Sequence, residues 1–392
     1  MAKIAVLGFG TVGGGVARVL EEDRAAIAAR LGEEISLKRI LVRHFRESPW
    51  RDRMTDRLED ITEDPEISVA VEVIGGVDAA YDYTRRCLMS GKHVVTANKQ
   101  LVAERGRELL ELAEAHNVQY LFEASVGGGI PLLHPLVNCL GANEIQEVYG
   151  ILNGTTNYIL TQMTERGESF GTALKAAQEK GYAEADPTAD VAGIDAGRKT
   201  CILADLAFGR ETPPEKVPME GITALDLRDV AIARQAGFRV KLLGRTLRLP
   251  EGGYAAYVAP HLIPEGKPMA HVSGVFNAAV IRGSAVGETM FYGPGAGAYP
   301  TASACVSDVM NVLAGPAPFR FRWEAPSGLR DANGVVSRWY LRTDADAQAV
   351  KAAFPQAETL TEGAFLTGPL TGFALEERAR SLPVLARYRV LD

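Results

Sequence analysis

One stretch of the chain, residues 181–199, places several carboxylates close to a lysine. If the part after Pro187 is helical, Asp195 and Lys199 are four residues apart and share a face, and Asp190 lies about one turn nearer the amino terminus. Such carboxylates can bind a substrate ammonium while the lysine moves a proton at a hydroxyl or carbonyl oxygen. The two acids would favour protonated Lys199, as a general acid requires. From charge spacing alone, an exposed i,i+4 ion pair is the simpler interpretation.

A glycine motif near the amino terminus, Gly8-Phe9-Gly10-Thr11-Val12-Gly13, follows an apolar run and precedes a helical pattern. A dinucleotide fingerprint requires this context. Gly8 would allow a tight turn, Gly10 would let a pyrophosphate approach the backbone, and Gly13 would let the helix pack closely. The phosphate charge would then face the amino terminus of the helix. The motif predicts a dinucleotide site, with a merely glycine-rich turn as the alternative.

The residues after the second predicted strand bear on the choice of dinucleotide. An NAD site usually has an acidic residue there to bind the ribose hydroxyl, whereas this chain has Arg43-His44. Arg43 could bind a 2′-phosphate, so we expect NADP, with NAD possible. A solvated surface charge is the alternative interpretation of Arg43.

Three further segments have compositions suited to ligand binding. Thr96-Ala97-Asn98-Lys99 ends a strand on the side where parallel sheets bind ligands, unless Lys99 simply extends into water. Residues 123–131 form a strand followed by a glycine turn whose carbonyl oxygens could bind a hard cation, although a plain strand-to-helix turn fits the composition better. Residues 291–301 form a second glycine loop that runs into a helix and permits close approach of a ligand.

These segments lie among short β-branched runs that alternate with helical patterns over the first 125 residues. Strands spaced in this way imply crossover connections and a Rossmann-type, doubly wound parallel sheet. Helices are predicted over residues 13–30, 79–90 and 104–115. The strands are predicted over residues 3–7, 35–42, 68–74, 93–96 and 119–123.

The rest of the chain changes to longer strands, more helices and repeated glycine loops. We therefore predict an α/β protein with a nucleotide-binding domain over residues 1–130, to which a helix near residues 300–320 returns. An α+β catalytic and dimerisation domain is predicted over residues 131–325. Residues 325–334 have the composition of a linker. The last 58 residues, 335–392, predict a small α+β module with too little core for independent stability.

Composition excludes several classes of protein. The 392 residues carry 42 Lys and Arg against 49 Asp and Glu, a net charge of −7, so the overall charge predicts neither a nucleic-acid nor a membrane partner. The uncharged stretch 124–143 contains four glycines and two prolines and fits a soluble segment better than a membrane span. The four cysteines are far apart and form no zinc motif. We expect a cytoplasmic protein with reduced thiols and a small-molecule substrate.

Five motifs follow one another along the chain: residues 8–13, 96–99, Asn153-Gly-Thr-Thr-Asn-Tyr158, 184–199 and Gly293-Pro-Gly-Ala-Gly297. Together they resemble the motifs of homoserine dehydrogenase, and the resemblance covers about residues 1–325. It implies the reversible, NAD(P)-dependent interconversion of L-aspartate 4-semialdehyde and L-homoserine, in threonine and methionine biosynthesis.

The resemblance also implies roles for individual residues. Lys199 aligns with the catalytic lysine, and Lys99 would contact both cofactor and substrate. The implied substrate-binding residues are Gly181, Glu184, Asp190 and Asp195. Cofactor contacts are implied for Gly8, Gly10, Thr11, Val12, Gly13, Arg43, Lys99, Glu184, Gly295 and Gly297. A monovalent cation, usually sodium, would be bound by the backbone carbonyls of Glu123, Val126, Gly128 and Ile130.

At the carboxyl terminus the chain departs from the family. Residues 337–343 resemble the first strand of an ACT regulatory domain, but the usual Asp-x-Pro-Gly-like turn is missing and the module is short. We interpret it as an ACT-like remnant with a packing or dimer role, which puts feedback by threonine in doubt. The resemblance implies a homodimer. Another amino-acid-pathway dehydrogenase, or a nucleotide-binding sensor without turnover, would have less use for the acids and the two lysines.

Overall fold

The structure is a computed structural model, and it describes residues 1–315 and 322–392. The chain forms two compact units. Unit 1 comprises Met1–Glu144, Asp205–Pro213 and Gly293–Ala325, and unit 2 comprises Ile145–Ala204, Pro214–Tyr292 and Pro326–Asp392. The domain boundary near residue 130 stays a prediction, since the compact units change over between Glu144 and Ile145.

Unit 1 is built on a six-stranded sheet in the order β3-β2-β1-β4-β5-β6, and its strand pairs are parallel. The predicted doubly wound parallel sheet is therefore confirmed, with one further short strand, β3, at its edge. Central strands are buried on both faces, which explains their continuous apolar runs. The strands are β1 Ala2–Leu7, β2 Ile35–Leu41, β3 Met54–Thr55, β4 Ile67–Glu72, β5 His93–Thr96 and β6 Tyr120–Leu121.

Helices cover this sheet. The helix predicted over residues 13–30 is two helices, because the chain leaves the helical conformation at Asp23. The helix predicted from residue 104 begins five residues earlier, because the Asn98 side chain accepts a hydrogen bond from the Leu101 N–H and caps it. The helices of unit 1 are α1 Thr11–Glu22, α2 Arg24–Leu31, α3 Glu59–Thr62, α4 Asp78–Met89, α5 Lys99–Ala115 and α11 Ala298–Leu313.

The helix predicted to return to the first domain is α11. Its buried residues Ala302, Cys305 and Val309 belong to the same apolar cluster as Val6 of β1 and Val16 of α1. In the structure α11 belongs to unit 1 and ends at Leu313. Residues 316–321, which the prediction includes in part, lie outside the described residues.

Unit 2 is built on a mixed nine-stranded sheet in the order β11-β10-β7-β8-β9-β17-β13-β15-β14. Most of its pairs are antiparallel, and β17 joins β9 in parallel. Strands β12 and β16 form a separate two-stranded antiparallel sheet. The strands are β7 Ile145–Ile151, β8 Phe238–Arg248, β9 Tyr254–Pro264, β10 Phe276–Gly283, β11 Gly287–Pro294, β12 Val336–Ser337, β13 Trp339–Thr343, β14 Glu358–Thr361, β15 Ala364–Leu366, β16 Leu370–Thr371 and β17 Val384–Val390.

The remaining helices complete this part of the chain. Across the described residues, none is long and apolar enough for a membrane span. The module over residues 335–392 contains two helices and six strands, of which β13, β14, β15 and β17 extend the sheet of unit 2. Its likeness to an ACT domain stays a prediction. The helices are α6 Gly154–Arg166, α7 Phe170–Glu179, α8 Thr188–Val191, α9 Ile194–Phe208, α10 Leu227–Gln235, α12 Ala347–Ala353 and α13 Gly372–Ala379.

Candidate functional site

The glycine turn between β1 and α1 lies at the carboxyl edge of the parallel sheet. Gly8 has a φ of +94°, in the left-handed region, and its N–H donates to the Leu41 carbonyl over 3.0 Å. A Cβ atom on Gly13 would lie 2.2 Å from the Gly8 carbonyl oxygen, whereas one on Gly10 would have no neighbour within 4 Å. The turn is thus tightly packed at Gly13 and open at Gly10, the N-cap of α1, where a phosphate could approach the helix terminus.

Arg43 and Lys99 are at the same edge of the sheet. Strand β2 ends at Leu41, two residues before Arg43, and β5 ends at Thr96, three residues before Lys99. Both strands end in register with their neighbours. Arg43 is exposed, and Lys99 is half-buried at the start of α5. The Asn98 amide fixes this helix start by donating to the carbonyls of Ile74 and Gly76 over 3.0 and 2.6 Å.

A buried acid that sequence reasoning does not identify lies beneath this edge. Glu72, the last residue of β4, is completely buried and accepts hydrogen bonds from the Thr96 hydroxyl over 2.5 Å and the Ile74 N–H over 2.6 Å. Burial raises the pKa of Glu72 to about 7, although these two donors and Asn98 favour the carboxylate. Glu72 thereby ties the ends of β4 and β5 together beside Lys99.

The predicted cation turn follows β6. Gly127 and Gly128 have φ values of +81° and +58°, which only glycine adopts freely. The Glu123 carboxylate is buried and accepts the backbone N–H groups of residues 132–134 over 2.5–2.9 Å. Burial, and next the charge of Asp308, raise the pKa of Glu123, while these N–H groups act in the opposite direction. The side chain therefore closes the turn through the backbone, and cation binding by the main-chain carbonyls stays a prediction.

The two predicted glycine loops of unit 1 contact each other. The Gly129 N–H donates to the Pro294 carbonyl over 3.3 Å, and a Cβ atom on Gly128 would lie 2.5 Å from the Gly295 carbonyl oxygen. A Cβ atom on Gly129 would likewise lie 2.6 Å from Pro300 Cβ. Glycine is required at both positions because the loops are packed backbone to backbone.

Helix α11 begins from the second loop and packs on α1. Its N-cap, Gly297, has a φ of +128°, and a Cβ atom on Gly15 of α1 would lie 2.6 Å from the Ala298 carbonyl oxygen. Asp308 of α11 accepts the Glu123 N–H over 2.8 Å and is completely buried. The dinucleotide turn, the cation turn and the second glycine loop are thus joined through one helix.

The acid and lysine block of unit 2 is buried. Asp195 and Lys199 lie on α9 and are 4% and 7% exposed, and the Lys199 ammonium donates to Asp195 Oδ2 over 2.7 Å. The interpretation of this pair as an exposed ion pair is therefore wrong. Asp190 lies on the separate short helix α8, which corrects the prediction of one continuous helix, because Gly193 adopts a φ of +82° between the two helices. A Cβ atom on Gly193 would also approach Val258 to 3.2 Å.

The junction between β7 and α6 brings this block together. The Lys199 ammonium donates to the Leu152 carbonyl over 2.7 Å. The next residue, Asn153, donates from its amide to Asp190 Oδ1 over 2.7 Å and to Asp195 Oδ2 over 2.9 Å. Three of the predicted residues, on two helices, are therefore fixed by two consecutive residues of one junction.

Two predicted substrate-binding residues are not part of this hydrogen-bonded group. Gly181 is exposed, with a φ of +73°, at the turn after α7. The Glu184 side chain is exposed, and its main-chain carbonyl accepts the Gln178 amide over 3.1 Å. Both residues precede α8 in a turn of unit 2, and their predicted contacts with substrate or cofactor stay predictions.

Sequence reasoning quotes the Asn153 motif without assigning Asn153 a site role. Its position after an apolar strand and before Gly-Thr-Thr is a helix N-cap signal. The same position gives no sign of the amide's other partners, which lie 37 and 42 residues along the chain. Asp308 is likewise separated from Glu123 by 185 residues. Contacts of this range depend on tertiary packing.

Comparisons with known proteins agree with this arrangement. A family model described as homoserine dehydrogenase matches residues 131–310, and one described as homoserine dehydrogenase, NAD binding domain, matches residues 8–123. The homoserine dehydrogenase of Lactococcus lactis subsp. lactis is 38% identical over 353 residues, which cover 87% of this chain and 82% of the relative. That of Corynebacterium glutamicum is 40% identical over 355 residues, covering 88% and 80%.

Solved structures give the same result. A homoserine dehydrogenase from Thiobacillus denitrificans superposes with a TM-score of 0.92 at 36% identity, covering 100% of this chain and 98% of that one. A hyperthermophilic archaeal homoserine dehydrogenase in complex with NADPH superposes with a TM-score of 0.69 at 28% identity, covering 82% and 99%. With the nucleotide-type sheet, the glycine turn and the buried acids and lysine already in place, the chain belongs to the homoserine dehydrogenase family.

Proposed function

We propose that Lys199 transfers the proton in the reaction of this NAD(P)-dependent oxidoreductase, the reversible reduction of L-aspartate 4-semialdehyde to L-homoserine. The nicotinamide, when bound, supplies the hydride, and negative charge then develops on the carbonyl oxygen. An ammonium that is held in one place by Asp195 and the Leu152 carbonyl can donate a proton to that oxygen without reorganising. Lys99 is the second lysine that we assign to the site.

The single observation that supports this proposal most is the buried pair of Asp195 and Lys199 beside Asp190. Burial of several charges is unfavourable, so a buried group of charges indicates a functional role. Two neighbouring carboxylates can bind the substrate ammonium. We assign this role to Asp190 and Asp195, with Gly181 and Glu184 at the edge of the substrate site. A bound ammonium would fix the aldehyde carbon relative to the nicotinamide.

The residues at the sheet edge fit a dinucleotide. The open position at Gly10 leaves room for the pyrophosphate at the start of α1. The tight packing at Gly13 holds the turn in the conformation that this requires. We infer further cofactor contacts from Gly8, Thr11, Val12, Glu184, Gly295 and Gly297.

NADP is the preferred cofactor in this proposal, since Arg43 is exposed at the end of β2 where a 2′-phosphate would be recognised. The test is the absorbance of reduced nicotinamide with purified protein and L-homoserine, run with NADP+ and NAD+ side by side. The variant Arg43→Glu should raise the KM for NADP+ tenfold or more and leave that for NAD+ unchanged or lower. Equal effects on both cofactors would contradict the role of Arg43.

The same assay tests the alternative of a nucleotide-binding sensor. Such a protein would bind NADPH but form no reduced cofactor from L-homoserine and consume none with L-aspartate 4-semialdehyde. The family membership and the buried lysine both support turnover. The cytoplasmic location predicted from the sequence remains part of this proposal.

A sodium ion in the turn after β6 is a further part of the proposal. The Glu123 side chain already accepts three N–H groups, so the donors would be the main-chain carbonyls of Glu123, Val126, Gly128 and Ile130. Sodium chloride should then raise the thermal midpoint of unfolding above the value in choline chloride at equal ionic strength. Identical midpoints in the two salts would argue against the site.

We infer a homodimer from the edge of the nine-stranded sheet. Strand β11 is a long edge strand, and Met290 and Tyr292 on it are 37% and 56% exposed. Phe276 of β10 stacks on Tyr292 with ring centroids 5.2 Å apart, which makes an exposed aromatic patch. A second copy of the chain would cover it. Tyr292→Glu should reduce the mass measured by light scattering from twice 42.1 kDa to 42.1 kDa.

We infer a packing role for the module of residues 335–392, as an ACT-like remnant. Its strands share the sheet of unit 2 with β9, while its apolar side chains form a cluster of their own around Leu341 and Phe365. Isothermal titration of the intact chain with L-threonine should give no saturable heat. Saturable heat at micromolar to millimolar L-threonine would contradict the remnant interpretation.

A further inference from the structure

The Asn153 side chain is held in one orientation. Its Oδ1 atom accepts the Thr156 N–H over 2.9 Å and caps α6, so its amide nitrogen must face the other way. That nitrogen donates to Asp190 Oδ1 and Asp195 Oδ2 over 2.7 and 2.9 Å. A reversed amide would instead place an oxygen against two carboxylates, so the hydrogen-bond network assigns the orientation without ambiguity.

The amide joins groups that would otherwise repel each other. Asp190 and Asp195 both lie within hydrogen-bond distance of one nitrogen atom, and Lys199 binds the second of these carboxylates through the same Oδ2 atom. Hydrogen bonds to charged acceptors are stronger than those between neutral groups. Asn153 is 6% exposed, so these bonds form with little competition from water.

We propose that Asn153 is a positioning residue that sets the affinity of the enzyme for the amino alcohol. It orients the carboxylates of Asp190 and Asp195 so that their remaining lone pairs can receive the substrate ammonium. Its neighbour, Leu152, holds Lys199 through the main chain, so the junction of β7 and α6 aligns the ammonium-binding acids with the proton donor. This inference rests on the proposed substrate role of the two acids.

The decisive variant is Asn153→Ser. Serine is also a good N-cap, so α6 keeps its cap, no charge is added, and the two donors to the carboxylates are lost. The KM for L-homoserine should rise tenfold to a hundredfold, while the KM for NADP+ stays within twofold. Asn153→Asp, which also keeps the cap and the side-chain volume but lacks the donors, should show the same split.

A matched control exchanges the same residue types at another cap. Ser169 caps α7 in the same unit by accepting the Thr172 N–H over 3.2 Å. Ser169→Asn should leave both KM values, kcat and the thermal midpoint unchanged. If Asn153 served only as a helix cap, Asn153→Ser would behave in the same way, and that result would overturn the inference.

A double-mutant cycle with Asp190→Asn separates this inference from the proposed function. Because Asn153 is proposed to act through both carboxylates, Asn153→Ser should raise the homoserine KM by a smaller factor in the Asp190→Asn background than in the wild type, with only its bond to Asp195 left to lose. Equal effects in both backgrounds would overturn the positioning role and leave the role of Asp190 intact. An unchanged homoserine KM in Asp190→Asn alone would instead overturn the substrate role of that acid.

Discussion

At the scale of single residues, the surroundings of Lys199 determine what it can do. A carboxylate and a main-chain carbonyl hold the ammonium at 2.7 Å each, on a helix face that is almost fully buried. A flexible surface lysine would pay rotamer entropy each time it approached a substrate oxygen, whereas this one is already ordered. Lys199 is therefore suited to proton transfer in either direction of the reaction.

Lys199→Ala should lower kcat by about 10²–10⁴-fold, the usual contribution of a positioned proton donor, and leave the affinity for NADPH nearly unchanged. Steady-state assays in both directions and NADPH fluorescence titrations measure the two quantities. Lys175→Ala is the control, since Lys175 is an exposed lysine on α7 of the same unit. Wild-type turnover in Lys199→Ala would show that the proton comes from another group.

The buried Glu72 should make stability depend on pH. Its pKa is about 7 in the folded chain against 4.5 for an ordinary glutamate, so the folded state keeps a proton that the unfolded chain releases between these values. The free energy of unfolding should therefore fall by about 3 kcal/mol as the pH rises from 4.5 to 7. At higher pH the contribution of Glu72 should stay constant. Urea unfolding of Glu72→Gln should lack this fall.

Glu63→Gln, at an exposed glutamate of the same unit, should keep the fall of the wild-type chain. A parallel pH dependence in the wild type and Glu72→Gln would mean that Glu72 does not hold its proton in the folded state. Urea titrations at pH 5 and pH 8.5 are sufficient, since these values lie close to or beyond the two ends of the transition.

How much of the site the sequence predicts depends on how local each contact is. Spacing alone brings Asp195 and Lys199 onto one helix face, and the structure confirms this because the contact is i,i+4. The burial of that pair could not be predicted, since it depends on strands and segments far along the chain. The same limit applies to Glu72, whose environment is made by strands that pair across the sheet.

At the scale of elements, the glycine turn between β1 and α1 provides a test with an internal control. Gly13→Ala would place a Cβ atom 2.2 Å from a main-chain oxygen, so the turn must distort, and NADPH affinity should fall at least tenfold. In Gly14→Ala the added Cβ atom on α1 would have no neighbour within 4 Å. This substitution should raise the free energy of unfolding by about 0.5–1 kcal/mol and leave the affinity for NADPH unchanged. NADPH titrations and thermal unfolding distinguish the two.

Equal NADPH affinities in Gly13→Ala and Gly14→Ala would contradict the packing argument.

The sequence predicts this turn and the central strands well, because buried parallel strands are continuous apolar runs. It predicts α8 and α9 as one helix because nothing local shows that Gly193 adopts a left-handed conformation. The break matters, since it moves Asp190 off the axis of α9 and toward Asn153.

At the scale of the whole molecule, the C-terminal module resolves a difficulty seen in the sequence. Its 58 residues are too few for a stable separate domain. In the structure, β17 pairs with β9 through Arg389 and Val390, so the module adds four strands to the large sheet of unit 2. Arg389 is also buried and lies over the rings of Tyr257 and Trp339. Tyr257 belongs to β9, and Trp339 belongs to β13 of the module.

Asp229 of α10 makes a buried polar connection between the module and the rest of unit 2. This buried carboxylate accepts Arg342 Nε over 2.5 Å, Arg342 Nη2 over 3.1 Å and the Tyr340 hydroxyl over 2.7 Å. Asp226, which binds the same guanidinium over 3.0 Å, is 49% exposed. One arginine therefore has a buried and an exposed partner on the same helix.

Asp229→Ala should lower the free energy of unfolding by about 3–5 kcal/mol, because it removes the buried partner of the half-buried Arg342 guanidinium and the acceptor of the Tyr340 hydroxyl. Asp226→Ala should lower it by less than about 1 kcal/mol, as for a surface ion pair. Urea unfolding followed by circular dichroism compares the two. If the module were only loosely attached, both substitutions would have the same small effect. A large loss confined to Asp229→Ala would mean that the module folds as part of unit 2, so that its shortness no longer limits its stability.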